Sequence, residues 1–206
     1  MNPPIAVLDD LFAGRIAAVC REPDGAWNAA AARPVGLLAG AFNPLHEGHR
    51  RLAEVAAGLL GGPVAFELSV LNVDKPSLTD VELCRRLGQF ADCSPLWLTR
   101  APTFEAKARL FPHTTFVVGA DTAARIVAAR YYGESEKAMH AALDAIARQS
   151  CRFLVAGRAD QDGRFVELEH LAIPVEFAGL FQGITRSFFE ADISSTRLRE
   201  LGEPGA

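Results

Sequence analysis

Short apolar runs alternate with stretches of helical periodicity from Val35 onward, and this alternation constrains the fold more strongly than any other feature of the sequence. The apolar runs have the length of buried strands, and the stretches between them repeat apolar residues every three or four positions. Strands that alternate with helices in this way form a parallel sheet. The sequence therefore predicts an α/β fold, a Rossmann-like doubly wound parallel sheet with helices on both faces.

The element boundaries follow from the same pattern. We expect strands at residues 35–39, 65–71, 96–99, 115–118 and 151–156, with weaker candidates at 164–168 and 175–178. We expect helices at residues 46–60, 79–90, 103–110, 122–129 and 134–149, with another after Ser194.

The first 34 residues differ from the alternating region. Residues 5–20 have helical periodicity interrupted by Gly14, and residues 21–34 are mostly polar, small and Pro residues that are typical of a linker. The expected organisation is a helical extension and linker over residues 1–34, followed by one main domain over residues 35–206.

Composition excludes several classes of protein. Half of the 206 residues are apolar and 22% are charged, as in ordinary globular proteins. A net charge of -4 argues against a protein that coats nucleic acid. No apolar run approaches the roughly 20 residues of a membrane helix, and the start of the sequence lacks the basic flank of a signal peptide. The four cysteines lack the spacing of a zinc site. We expect a cytoplasmic protein with no nucleic-acid or membrane partner.

A decapeptide, GAFNPLHEGH at residues 40–49, joins the first strand of the alternating region to a helix. Gly40 allows close approach of a ligand to the backbone, Asn43 suits an N-cap, and Pro44 suits the first helical position. Free backbone amides and the positive end of the helix dipole would then attract an anion. The decapeptide therefore predicts a phosphate-binding turn.

Two histidines strengthen this prediction. His46 and His49 are three positions apart, so their rings share one face of the first helical turn and can reach the same phosphate. Gly48 between them leaves room for the ligand. Paired histidines near a helix start are also common as surface or capping residues, so the pair alone does not establish a site.

A second phosphate-binding candidate lies near the end of the sequence, in DISSTRLR at residues 192–199. Ser194, Ser195 and Thr196 precede a short helical run and are N-cap candidates, so their hydroxyls and the helix amides would be available to a phosphate. Arg199 adds a positive charge. Taken alone, the segment is better described as a capped terminal helix with solvated arginines.

Together, the two segments resemble the signatures of the nucleotidylyltransferase superfamily. Residues 40–49 match the pattern G-x-F-N-P-x-H-x-G-H, and residues 193–199 match I-S-S-T-x-x-R. This superfamily includes nicotinamide and nicotinate mononucleotide adenylyltransferases, phosphopantetheine adenylyltransferase and cytidylyltransferases. The resemblance covers about residues 35–199 and implies an enzyme that transfers a nucleoside monophosphate to an acceptor with release of pyrophosphate.

The resemblance also implies roles for individual residues. His46 and His49 would donate hydrogen bonds to the α-phosphoryl oxygens, Lys75 and Arg199 would hold the pyrophosphate, and Mg²⁺ would accompany the triphosphate. Gly119-x-Asp121 resembles a ribose-binding pattern, and Arg158 resembles an arginine that follows the fifth strand. The implied nucleotide contacts are Gly40, Ala41, Phe42, Asn43, Gly48, Gly119, Asp121, Arg158, Ile193, Ser194, Ser195 and Thr196.

Several alternatives stay open at this stage. AMP transfer from ATP to nicotinamide or nicotinate mononucleotide leads, but residues 66–76 are more similar to a poorly characterised cytidylyltransferase-like branch. CTP therefore remains a candidate nucleotide, and choline phosphate, glycerol phosphate and phosphopantetheine remain candidate acceptors. A homo-oligomer is a possible assembly. Trp97, Phe104, Tyr131 and Tyr132 are candidates to stack on a ring, although such aromatics more often belong to the core. The alternative from another class is a nucleotide-binding sensor module that does not turn its ligand over.

Overall fold

The computed structural model describes residues 5–71, 78–90, 95–159 and 164–189. The α-helices in this part of the chain are α1 (Ile5–Phe12), α2 (Glu47–Leu60), α3 (Asp80–Leu87), α4 (Phe104–Leu110), α5 (Ala120–Ile126) and α6 (Glu136–Arg148). The strands are β1 (Ala18–Arg21), β2 (Trp27–Asn28), β3 (Gly36–Ala39), β4 (Val64–Ser69), β5 (Leu96–Thr99), β6 (Thr115–Gly119), β7 (Arg152–Ala156), β8 (Arg158–Ala159), β9 (Phe165–Val166) and β10 (Phe181–Ile184). Short 3₁₀ segments cover Gly88–Phe90, Ala129–Tyr132, Leu168–His170 and Val175–Leu180.

Eight of the described strands form one sheet in the order β10-β7-β6-β3-β4-β5-β1-β2. The strands from β10 to β5 are parallel, whereas β1 lies antiparallel to both β5 and β2. The chain proceeds from β3 to β4 and β5, and then crosses to β6 on the other side of β3. The topological switch point, where α/β proteins bind ligands, therefore lies between the carboxyl ends of β3 and β6. The predicted fold class is confirmed.

Two apolar clusters cover the two faces of the sheet, because successive side chains of a strand point to opposite faces. Leu38 and Phe66 face α1, α2 and α3, whereas Leu37 and Ala65 face α4, α5 and α6. Burying a leucine or phenylalanine side chain contributes about 1.5–3 kcal/mol each. The buried β3 and β4 therefore hold the decapeptide between two well-packed layers.

The structure corrects the expected helix over residues 5–20. Helix α1 ends at Phe12, and Gly14 has a φ of 75° that turns the chain away from the helix axis. The Arg100 guanidinium donates to the carbonyls of Leu11 and Phe12 at 3.0 and 2.6 Å and so caps the end of α1. The apolar residues that follow do not continue the helix. They form β1, because they pair with β5.

The expected linker over residues 21–34 is corrected in the same way. Trp27–Asn28 pairs with β1 as the strand β2, and Arg21 is buried and donates to the carbonyl of Phe90 at 2.7 Å. The first 34 residues thus supply two strands of the central sheet. Whether residues 1–34 and 35–206 act as separate functional units stays a prediction.

One further expected strand was misplaced near the end of the described chain. The weak strand expected at 175–178 is a 3₁₀ segment, in which Phe177 N–H donates to the carbonyl of Pro174 at 2.9 Å. The strand lies just beyond it, at Phe181–Ile184, where it adds to the parallel sheet beside β7. None of the described helices has the length and apolarity needed to cross a membrane.

Candidate active site

The decapeptide forms the turn from β3 into α2, as predicted, but the helix starts later than the sequence suggests. The N-cap is His46, with extended φ and ψ of -141° and 168°, and its carbonyl accepts from His49 N–H at 2.9 Å. Helix α2 begins at Glu47, so Asn43 and Pro44 both lie before it. The predictions of an Asn43 N-cap and of Pro44 in the first turn are therefore wrong.

The two histidines lie together at the start of α2. Their rings stack with centroids 3.7 Å apart and an interplanar angle of 27°. The backbone N–H of His46 donates to Nδ1 of His49 at 3.3 Å. Because Nδ1 of His49 accepts this hydrogen bond, the proton of the neutral ring lies on Nε2 and can be donated. The predicted shared face of the two rings is confirmed.

Both imidazoles are neutral at pH 7. Burial, with a further contribution from the charge of Arg158, lowers the pKa of His46 below its usual value of 6.5. Burial, with a further contribution from His46, lowers the pKa of His49 to about 3. The site therefore offers neutral N–H donors to a phosphoryl group, and not imidazolium cations.

Nδ1 of His46 is buried and has no hydrogen-bond partner among the described residues. The whole residue is 6% exposed. A buried polar atom left without a partner costs about 1–3 kcal/mol, so such atoms are uncommon in native proteins and concentrate where function requires them. Nδ1 of His46 is thus a hydrogen-bonding atom with no partner in the described part of the fold.

The buried ring of Phe42 packs against Gly40 on the core side of the turn. Phe42 has a φ of 44°, is 2% exposed, and makes edge contacts with the rings of His49, Phe66 and Phe90 at centroid distances of 5.1–5.4 Å. A Cβ on Gly40 would lie 2.9 Å from the Phe42 ring. Gly40 therefore makes room for the Phe42 ring, which supports the His49 imidazole, and the ring of Phe42 belongs to the core.

Side chains of helix α3 and of the 3₁₀ turn that follows it form hydrogen bonds with the decapeptide. Gln89 accepts from Leu45 N–H at 2.8 Å and donates to the carbonyl of Phe42 at 3.1 Å. Arg86 donates to the carbonyl of Ala41 at 2.8 Å, and Arg85 donates to the side-chain oxygen of Asn43. These side chains fix the conformation of the backbone ahead of the histidines.

Asp121 and Arg158 meet at the switch point. Asp121 lies in the first turn of α5, directly after β6, and Arg158 lies in β8, directly after β7. Arg158 Nη1 lies 2.6 Å from Asp121 Oδ2, with side chains 43% and 58% exposed. Since Arg158 also lowers the pKa of His46, the pair belongs to the same charged environment as the histidines. Gly119 is the N-cap of α5, and a Cβ there would meet open space.

The sequence did not single out a buried ion pair on the other side of β3. Glu67 on β4 and Lys107 on α4 are 1% and 5% exposed, and Lys107 Nζ lies 2.7 Å from Glu67 Oε1. Thr99 Oγ1 donates to the same carboxylate oxygen at 2.5 Å. The sequence signal that could have indicated the pair is the single acidic residue, Glu67, within a largely apolar strand. Glu is rarely fully buried unless it is paired, so a basic partner could have been expected.

A cleft of about 220 Å³ opens at the carboxyl edge of the sheet above this ion pair. The residues that line it include Ala39, Gly40, Ala41, Glu67, Arg86, Pro102, Phe104, Lys107 and Thr122. Of the four aromatic candidates for ring stacking, Phe104 lies in this cleft and Trp97 is buried in the core. The cleft and the histidine pair thus adjoin opposite ends of the same turn.

The remaining predicted residues of the site are Lys75, Ile193, Ser194, Ser195, Thr196 and Arg199, which lie outside the described residues. Their convergence on the histidines stays a prediction. Gly48 is buried in the first turn of α2. In the described ranges, no three His, Cys, Asp or Glu side chains cluster so that they could hold a metal ion.

Comparison with known proteins agrees with this geometry. A family model described as cytidylyltransferase-like matches residues 37–201, from β3 past the second signature. No curated protein matches the chain significantly. The family match supports a nucleotidyltransferase activity in general terms and covers most of the sequence. The chain belongs to the cytidylyltransferase-like family.

Proposed function

We propose that the protein transfers a nucleoside monophosphate from a nucleoside triphosphate to a phosphorylated small-molecule acceptor and releases pyrophosphate. The observation that carries the proposal is the stacked pair of neutral imidazoles at the start of α2, one of which has a buried Nδ1 without a partner in the described chain. Neutral N–H donors suit the growing negative charge on the α-phosphoryl oxygens.

In the proposed reaction, an oxygen of the acceptor phosphate attacks the α-phosphorus in line with the leaving group. The bond from the α-phosphorus to the bridging oxygen breaks, and pyrophosphate leaves with the electron pair. A phosphate monoester has a second pKa of about 6, so it is largely ionised at neutral pH and needs no strong general base. The protein's contribution is therefore alignment and charge stabilisation.

His46 and His49 would donate to the α-phosphoryl oxygens as the bond changes take place. Removing one donor of this kind typically raises the barrier by about 3 kcal/mol, roughly a hundredfold in rate. Asp121 would accept hydrogen bonds from the ribose hydroxyls, and Lys75 and Arg199 would hold the pyrophosphate. Mg²⁺ would enter with the nucleotide, held by triphosphate oxygens and water, as is usual for this ion.

The leading substrates in this proposal are ATP and nicotinamide or nicotinate mononucleotide. The Asn-Pro form of the decapeptide and the Gly119-Ala120-Asp121 segment support an adenylyltransferase of this kind. The cytidylyltransferase-like family match equally supports CTP as the nucleotide. Choline phosphate, glycerol phosphate and phosphopantetheine are the alternative acceptors.

The test is pyrophosphate release from ATP or CTP across a panel of acceptors. The panel contains nicotinamide mononucleotide, nicotinate mononucleotide, phosphopantetheine, choline phosphate and glycerol 3-phosphate. We expect release with one nucleotide and one class of acceptor, together with an equal amount of nucleotidylated product. Nucleotide binding by calorimetry without release for any acceptor would contradict the proposal and favour a sensor module.

A further inference from the structure

The carboxylate of Glu67 belongs to a closed ring of hydrogen bonds below the cleft. Its Oε1 accepts from Lys107 Nζ at 2.7 Å and from Thr99 Oγ1 at 2.5 Å. Lys107 Nζ also donates to the carbonyl of Ala101 at 2.7 Å, and Ala101 N–H donates to Thr99 Oγ1 at 3.2 Å. The ring holds both charged groups in fixed positions.

The ring leaves one acceptor and one donor unused. Oε2 of Glu67 has no hydrogen-bond partner in the described part of the chain, because both bonds to this side chain end on Oε1. An ammonium group has three N–H donors, and Lys107 uses two of them. Glu67 and Lys107 both line the cleft, so a ligand bound there would meet the pair that has the unused acceptor and donor.

A structural role alone does not explain the pair well. Removing two charges from water is costly, and well-packed apolar residues of similar volume usually give equal or greater stability. Here Glu67 lies in the carboxyl-terminal half of β4 and is hydrogen-bonded to Thr99 at the end of β5. This is the edge of the sheet at which parallel α/β folds bind ligands. A buried ion pair at this edge is better explained as a recognition element.

We infer that the Glu67–Lys107 pair recognises an uncharged amide group on the acceptor. An amide N–H would donate to Oε2 of Glu67, and the amide oxygen would accept from Lys107. Because the pair carries no net charge, a neutral group leaves the charges balanced. A carboxylate in the same position would face the like charge of Glu67, and a quaternary ammonium would face Lys107.

The location of the pair fits the acceptor and not the nucleotide. Glu67 lies opposite Ala39 in the β3–β4 register, and Gly40 N–H donates to the Glu67 carbonyl at 3.1 Å. The ion pair therefore lies on the β4 side of the decapeptide, and the cleft extends from it to Thr122, next to Asp121 on the β6 side. The cleft volume of about 220 Å³ is below the roughly 300–1,000 Å³ of pockets for drug-sized ligands, so it suits one ring or a short amide chain.

This inference rests on the proposed function, since it names the acceptor that the same site would use. The test measures the KM of the unmodified protein for nicotinamide mononucleotide and for nicotinate mononucleotide, which differ only in carboxamide against carboxylate. Equilibrium affinities measured by calorimetry give the same comparison without turnover. We expect at least a tenfold preference for the carboxamide over the carboxylate.

The Glu67→Gln variant tests the residue itself, because its amide would no longer repel a carboxylate. We expect the preference to fall at least tenfold while the KM for the nucleoside triphosphate stays unchanged. Glu105→Gln is the matched control, because Glu105 lies on α4, as Lys107 does, but forms its ion pair with Arg109 at the surface. Its preference should equal that of the unmodified protein.

The outcomes separate the two proposals. Equal affinity for the carboxamide and the carboxylate, a preference for choline phosphate, or an unchanged preference in a folded Glu67→Gln protein would each overturn the inference. If Glu67→Gln does not fold, the preference of the unmodified protein for the carboxamide over the carboxylate tests the inference. Selective binding of the amide without pyrophosphate release from any nucleotide would instead contradict the proposed function and leave the inference supported.

Discussion

The imidazole rings of His46 and His49 stack at a centroid distance of 3.7 Å. Two imidazolium cations at this separation would repel each other, and burial already disfavours the charged form of each ring. The pair therefore remains neutral in the folded protein throughout the physiological pH range. Each ring still supplies an N–H donor, so the start of α2 can receive a phosphoryl group without holding a permanent positive charge there.

Stability should fall at mildly acidic pH because of His49. Its folded pKa of about 3 lies below the ordinary value of 6.5, so the unfolded chain binds the proton more readily. The contribution of His49 to stability is fully present above pH 6.5 and is lost progressively as the pH falls from 6.5 towards 3. Between pH 7 and pH 5.5 we expect a loss of about 1 kcal/mol, measured by urea unfolding.

The His49→Gln variant is the control for this effect, because glutamine does not titrate. The variant should lose about 1 kcal/mol less than the unmodified protein over the same pH interval. Identical pH dependence in both proteins would contradict the assignment of a neutral, partly buried His49.

Substitution of Gly40 should disturb the Phe42 ring. The Cβ of Gly40→Ala would lie 2.9 Å from that ring, so Phe42 must move and release its edge contact with His49. Overpacking of this kind costs about 1–3 kcal/mol. We expect that loss in the free energy of unfolding, together with at least a tenfold loss of turnover.

Gly58 offers the matched control on α2. A Cβ at Gly58 would meet nothing within 4 Å, so Gly58→Ala should increase the free energy of unfolding by about 0.5–1 kcal/mol through helix propensity. If Gly40→Ala were as stable as Gly58→Ala, the Phe42 ring would not need the space beside Gly40, contrary to what we expect.

Gln89 should be important for the decapeptide although it lies on a distant segment. Gln89→Ala removes the acceptor of Leu45 N–H and the donor to the Phe42 carbonyl, at a cost of about 1–3 kcal/mol. Gln89→Glu keeps the acceptor but turns a carboxylate oxygen towards that carbonyl, so it should destabilise as well. Chemical unfolding of both variants checks this, and an unchanged free energy for Gln89→Ala would refute the bracing role.

Asp121 should affect nucleotide binding more than stability. Its pair with Arg158 is exposed, and such pairs contribute about 0–1 kcal/mol. For Asp121→Asn we expect a melting temperature close to that of the unmodified protein and at least a tenfold higher KM for the nucleoside triphosphate. Asp144→Asn, at an exposed position of α6, should change neither quantity. An unchanged KM in Asp121→Asn would exclude Asp121 from the nucleotide site.

Local patterns predicted the parts of the structure that depend on local physics. The short apolar runs gave the parallel strands β3, β4, β5, β6 and β7 to within one or two residues. The spacing of the two histidines correctly predicted that their rings share one face. In both cases the feature depends on a few neighbouring residues. The strand positions follow from burial, and the shared face of the rings follows from the pitch of a helix.

The features that the sequence did not predict depend on contacts between segments that are far apart in the chain. The side chain of Asn43 accepts from Arg85, 42 positions away, and α2 begins only at Glu47. The residues of β1 have an apolar helical pattern, yet they form a strand because β5 offers an edge to pair with. Lys107 reaches Glu67 across 40 positions, and no local pattern links the two.

Nucleotidylyl transfer by the histidine pair is the central claim, and turnover in alanine variants tests it most directly. The measurement is the rate of pyrophosphate release by His46→Ala and His49→Ala, with Arg51→Ala, an exposed position on the same helix, as the control. We predict that each histidine variant loses at least about a hundredfold in kcat, about 3 kcal/mol of barrier, while the melting temperature changes little and Arg51→Ala keeps full activity. Near-normal release by both folded histidine variants would contradict the account.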